Sequence, residues 1–207
     1  QDLLQGEGEV IATTYTSVSS YLDTSVEAIP YDVAKAKEYL AKSGYDVSVP
    51  IKLAVPQGNK VRMDSANLIQ QDLEAIGLTV QQTTTDFATH LANTKKGDYQ
   101  LSLMGLAFTV DPDETSTMAT TGASFMGMWK DDYLDSLWTK GKSLTDAKER
   151  QAVYSEIQTY MRDKALIVGL YSAYTFIAQT TRLSGGLKDF WAGSLSDIEK
   201  WTLAESN

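Results

Sequence analysis

The chain is 207 residues long, 43% apolar and 22% charged, with a formal net charge of −9. That composition suits a globular fold with a buried core, and no apolar run approaches the roughly 18 residues a membrane-spanning helix needs. The acidic balance and scattered Lys and Arg exclude nucleic acid and an anionic membrane surface as direct partners, since both are met through clustered basic residues. Cysteine is absent, which removes disulfides, thiolate catalysis and cysteine-based metal sites.

The chain opens on "QDLLQGEGEV", which reads as a helix tail running into a glycine turn, as in a piece cut from a longer protein. Residues 1–30 are rich in Ser and Thr and read as a connecting segment lying over something else. Asp32 then caps a helix through Ser43, with Ala36, Tyr39 and Leu40 on one face and Gly44 as the stop. "VPIKLAV" (49–55) is a strand. Asn59 caps a long amphipathic helix whose inward stripe is Ala66, Ile69, Leu73 and Ile76, ended by Gly77. "LTVQQT" (78–83) is the next strand, and the order strand, helix, strand implies a right-handed crossover and a parallel pair. A short helix over 86–95 leads to "YQLSLMGLAF" (99–108), an apolar run that reads as a central strand covered on both faces. Helices follow over 131–142 and from a Thr145 cap to about Asp163, the second with Val153, Ile157 and Met161 inward. Residues 165–181 form a long β-rich stretch, 183–186 a turn, and the tail carries two tryptophans on weak structure. The fold class is α/β, with a mostly parallel sheet flanked by helices.

A search for chemistry finds no catalytic set. His90 is the only histidine and reads as a surface or satisfied structural residue. No G-x-S-x-G elbow exists, and a zinc site needs several His or Cys ligands. "VPQGNKVRMD" (55–64) puts a glycine between strand and helix but lacks the P-loop pattern, so it reads as a plain turn. "DPDE" (111–114) has no EF-hand spacing, and its Asp113 and Glu114 suit the positive end of a following helix. No cofactor and no metal ligand is assigned.

Several segments together resemble the C-terminal lobe of the family 5 extracellular solute-binding proteins, the oligopeptide, dipeptide and nickel-binding proteins of ABC importers. "YDVAKAKEYLAKSGY" (31–45) is similar to that family's Tyr-Asp to Ala-Gly-Tyr helix. "SANLIQQDLEAIGLTVQQTTTDFATHL" (65–91) and "KGDYQLSLMG" (96–105) resemble its Gln-x-x-Leu helix and Gly-Asp-Tyr-Asp strand. Residues 132–171 are similar to its Asp-x-Leu helix and the Arg, Tyr, Ile-Gln run before a strand ending in Leu-Tyr. The order and spacing of these segments over about 31–186 carry the resemblance.

The resemblance implies a periplasmic-binding-protein-like lobe over 31–186, a connecting segment over 1–30 and a C-terminal tail over 187–207. It implies a binding role without catalysis. A peptide-like solute or metal chelate is captured between this lobe and an N-terminal lobe, and ABC permease subunits receive it. It also implies an extracytoplasmic place, in the periplasm or at the outer face of the membrane, with a lipid anchor in some members. Phe108, Thr109 and Asp111 stand at the strand end that faces such a cleft. In peptide-binding relatives an aspartate at the Phe108 or Thr109 position meets the ligand's amino group. Its absence here, with Asp111-Pro112 close behind, looks more like the nickel-type branch. Phe125, Met126, Met128 and Trp129 offer either a soft apolar wall or core under a loop. Two other classes stay open: an α/β hydrolase using Asp111 and Glu114, and an interaction module using Phe190, Trp191 and Trp201.

Overall fold

A computed structural model describes residues 2–107, 111–185 and 198–204. After a 3-10 turn at Asp2–Leu4, the described elements run β1 (Gly8–Val10), α1 (Val33–Ser43), β2 (Ile51–Pro56), α2 (Lys60–Ala75), β3 (Val80–Thr85), α3 (Phe87–Lys96) and β4 (Leu101–Ser102). They continue with α4 (Thr115–Met118), α5 (Asp132–Ser143), α6 (Ala147–Asp163), β5 (Tyr171–Ala173), β6 (Leu183–Ser184) and β7 (Thr202–Leu203).

The helix starts follow side-chain capping. Asp32, Asn59, Asp86 and Asp131 accept from the backbone N–H of Lys35, Arg62, Thr89 and Leu134, each three residues on. α6 starts from Asp146, which accepts from the N–H of both Lys148 and Glu149, rather than from Thr145. A carboxylate is the stronger acceptor for two donors at the positive helix end, so it displaces the neighbouring hydroxyl.

The expected β-α-β-α-β unit is present. β2 pairs in parallel with β3 from Ile51↔Val80 to Pro56↔Thr85, and with β4 at Leu53↔Leu101 and Ala54↔Ser102. The sheet order is β3-β2-β4. The central strand is therefore β2, and among the described residues of the apolar run 99–108 only Leu101–Ser102 form a strand, at the edge. Ladder bonds from Gln100 N to Lys52 O and from Leu103 N to Ala54 O mark the limits of its pairing. Beyond Leu103 the chain leaves the sheet, and Leu101 and Leu106 are both exposed. Apolar content alone did not distinguish a strand buried on two faces from an edge segment.

Two cores result. Leu53, Val55, Ala66 and Val80 close the sheet onto α2, with Ile69 and Leu73 beside them. Leu134, Leu137 and Trp138 of α5 pack on Val153, Tyr154, Ile157 and Met161 of α6, together with Met118 and Tyr15. The inward face expected for α6 is observed. The face expected for α1 is not: no residue of that helix is buried, and Tyr39 is exposed.

Residues 1–30 carry more structure than their composition suggests. β1 pairs antiparallel with β5, Gly8 opposite Ala173. A Cβ at Gly8 would stand 2.7 Å from Ser172 O, so the close approach requires glycine. Residues 13–23 then lie on α6. Gln158, fully buried, donates from Nε2 to Tyr21 O at 2.9 Å and to Tyr154 O at 3.0 Å, and its Oε1 accepts from Asp23 N at 3.1 Å. The expected long strand over 165–181 shrinks to β5 because β1 offers only three residues to pair with. Phe190 and Trp191 lie outside the described residues. Trp201 is half-buried, next to the β6–β7 ribbon.

Candidate functional site

The Asp-Pro-Asp-Glu turn follows β4 and enters α4, and each of its residues is held differently. Asp111 accepts a forked pair from Arg150 of α6, with Nη2–Oδ1 at 3.1 Å and Nη1–Oδ2 at 3.3 Å. Its Oδ1 also accepts from Asp113 N at 2.9 Å. The Arg150 hydrogen bonds hold the Asp111 carboxyl below the usual carboxylate range. Arg150 is itself fixed: its guanidinium lies 5.5 Å from the ring centroids of Tyr21 and of Tyr154, and Nε donates to Gly141 O at 3.2 Å. The Arg150 side chain is 17% exposed and that of Asp111 58%, so the acid stands at the water side of the pair.

Pro112 is buried, and its carbonyl accepts from the Tyr15 hydroxyl at 2.8 Å. Asp113 accepts from Thr115 N at 3.0 Å and from the Thr115 hydroxyl, which is the helix-start role expected of it. Glu114 departs from that role and makes no side-chain cap bond. It turns inward instead, 5% exposed, where Oε2 accepts from Thr14 Oγ1 at 3.0 Å and Oε1 has no partner. Burial pushes its carboxyl up to about 8, with the charge of Asp113 adding and the Thr14 hydrogen bond opposing. Burial and the neighbouring Glu114 likewise raise the Tyr15 phenol.

Of the six residues expected at a cleft, Phe108 and Thr109 lie outside the described residues. Phe125 and Trp129 stand in edge-to-face contact, centroids 5.0 Å apart at 87°. Trp129 packs on the α5–α6 core and its Nε1 is buried without a partner. Met128 is 60% exposed, and the end of its side chain covers Gly97. The segment is thus part core, part surface: Trp129 supports Phe125, and Met128 faces water. Asp111 belongs to a separate cluster on α6. Arg150 and Tyr21, which fix that cluster, and Thr14, which meets Glu114, were not singled out from the sequence. The Arg150 partner lies 39 residues from Asp111, and no local spacing marks it.

A recess of about 190 Å³ lies elsewhere, on the α3 side of the sheet, with Lys52, Thr83, His90 and Asp98 in its lining. His90 is fully buried with Nε2 3.2 Å from Ser102 Oγ. Burial, and then the charge of Arg62, lower its ring nitrogen, so it sits neutral as a structural histidine. Among the described residues no three His, Asp or Glu side chains gather as a metal site. Asp111 and Glu114 face different partners rather than one reacting atom.

The family model of the bacterial extracellular solute-binding proteins, family 5 Middle, matches residues 1–127. The chain belongs to that family. It is 27% identical to the oligopeptide-binding protein AppA of Bacillus subtilis, over 98% of this chain and 41% of that protein. With di/tripeptide-binding protein 2 of Pseudomonas aeruginosa it shares 29% identity over 79% of its own length and 32% of the other. The solved structure of B. subtilis AppA in complex with a nonapeptide superposes with a TM-score of 0.81 at 25% identity, covering 98% of this chain and 44% of that one. The chain therefore spans about two fifths of AppA. The periplasmic-binding-protein lobe expected from the resemblance is the fold observed, and the relatives are binding proteins rather than enzymes. The family is extracellular by description, and no described helix is long and apolar enough to cross a membrane.

Proposed function

We propose that this chain is the C-terminal lobe of the substrate-binding component of an ABC-type importer. It captures a peptide-like solute between two lobes and delivers it to the membrane permease. The observation that carries this reading is the match to AppA along 98% of this chain and 41% of that protein, which leaves room for a second lobe. Peptides rank ahead of metal chelates and sugars because the relatives above are named for peptides. In this reading residues 1–30 connect, 31–186 form the lobe and 187–207 the tail, and the intact protein works outside the cytoplasm. Phe108, Thr109, Asp111, Phe125, Met128 and Trp129 border the solute. Asp111 presents a largely exposed carboxylate, while Phe125 and Met128, supported by Trp129, give an adaptable apolar wall. The exposed apolar residues Val168, Tyr174, Phe176 and Ile177 form a surface for the remainder of the protein.

Calorimetry on the intact protein against short peptides, nickel chelates and sugars tests this. Peptides bind, and Trp129→Ala weakens binding about tenfold or more by removing the support of the wall, equivalent to about 1.4 kcal/mol. Heat from none of the three classes, or full affinity in the Trp129→Ala variant, overturns the reading.

A further inference from the structure

Glu114 is a buried acid that the binding role does not use. Its Oε2 has one partner, the Thr14 hydroxyl, and its Oε1 is sealed from water with none. The charged neighbours are all committed elsewhere. On its own turn Asp111 and Asp113 are both acidic. From α6, Arg150 reaches Asp111, with Tyr154 beneath it, and from α5 Lys142 stands 3.7 Å from Asp113 while Asp135 holds Thr120. From the opposite side Tyr15 presents a phenol that donates to Pro112 O. Among the described residues no lysine or arginine forms an ion pair with Glu114. A carboxylate so placed has lost its hydration and gained no cation, whereas a neutral carboxylic acid has no charge to strip of water, and its own hydroxyl can exchange the donor role with that of Thr14.

We infer that Glu114 is a proton-operated latch that holds residues 13–15 against the Asp-Pro-Asp-Glu turn when neutral and loosens both when it ionises. Two hydrogen bonds bridge these segments, Glu114–Thr14 and Tyr15–Pro112. Ionisation strengthens the first, in which Thr14 donates, but leaves a buried charge with an unpaired Oε1 that this one bond does not offset, so charge on Glu114 acts where the segments join. Water can reach the carboxylate only if residues 13–15 lift or the turn shifts. Because Asp111 lies in the same turn, ionisation also alters its presentation. That consequence rests on the proposed binding role; the latch itself does not.

The sign follows from linkage. The folded group binds its proton more tightly than the unfolded chain, for which the ordinary value is 4.5, so the latch's contribution is complete below that value. It is lost as the pH rises towards about 8 and changes no further above it. For one proton the folding equilibrium constant falls up to about tenfold per pH unit inside that window.

The test uses the intact protein without solute, so its failure is separate from failure of the binding reading. Infrared spectra at neutral pH should show a protonated-acid carbonyl band that is missing in Glu114→Gln and titrates away in mildly alkaline buffer. Thermal unfolding from about pH 5 to pH 9 should fall with pH in the wild type and lie flatter in Glu114→Gln, which keeps an acceptor for Thr14 and cannot ionise. Should Glu114→Gln not fold, Thr14→Val carries the test: removing the hydrogen bond that favours the ionised form shifts the band's titration upward. A missing band at neutral pH, or parallel unfolding profiles, overturns the latch.

Discussion

Replacing Gln158 with Leu removes the clamp that binds residues 13–23 to α6. Gln158 makes two bonds whose loss matters, Nε2 to Tyr21 O at 2.9 Å and Asp23 N to Oε1 at 3.1 Å. The contact with Thr13 Oγ1, at 3.4 Å, is long and adds little. Tyr154 O keeps its helical partner, so losing the third bond is cheap. A buried polar group left unpaired costs about 1–3 kcal/mol, and the half-buried Tyr21 and Asp23 recover part of that from water. Leucine beside Ile157 and Met161 returns about 1 kcal/mol of apolar burial. The net cost is about 2 kcal/mol, close to a thirtyfold loss in local equilibrium constant. Hydrogen exchange on the intact protein measures it directly. The amides of residues 13–26 should exchange faster by that factor, while α6, held by Trp138 and Tyr154, keeps its protection. An effect below about 0.5 kcal/mol, or faster exchange in α6 with none in 13–26, would refute the clamp.

Two further outcomes follow from the same geometry. The Asp111–Arg150 pair lowers the Asp111 carboxyl below its ordinary 3.8, so its contribution is present above that value and lost as the pH falls through the folded value. With Asp111 58% exposed the contribution is under about 1 kcal/mol, and Asp111→Asn should flatten the acid limb of the stability profile by no more than that. Gly97 caps α3 at φ +73°, so Gly97→Ala should cost about 1–2 kcal/mol in a denaturant titration, from left-handed strain. The overlap with Met128 adds little, because that side chain is exposed and can swing away.

Much of the lobe was readable from local chemistry. Asp32, Asn59, Asp86 and Asp131 announce helices because a short polar side chain satisfies orphan amides within one turn. Gly44 and Gly77 end the first two of those helices for an equally local reason, a positive φ that glycine adopts freely. The inward stripes of α2 and α6 follow from helical period alone, and alternating strand and helix imply the parallel pairing of β2 with β3. The edge place of β4 and the pairing of β1 with β5 were decided by partners far away along the chain. A strand's neighbours depend on which backbone donors reach it, and sequence spacing does not record that. The same holds for the acidic turn. Its three carboxyls look alike in sequence, yet Asp111 goes to Arg150 and Asp113 to the start of α4. Glu114 goes inward to Thr14, a hundred residues away along the chain. Only the tertiary structure decides which acid keeps its charge, because that is set by burial and by the nearest cation.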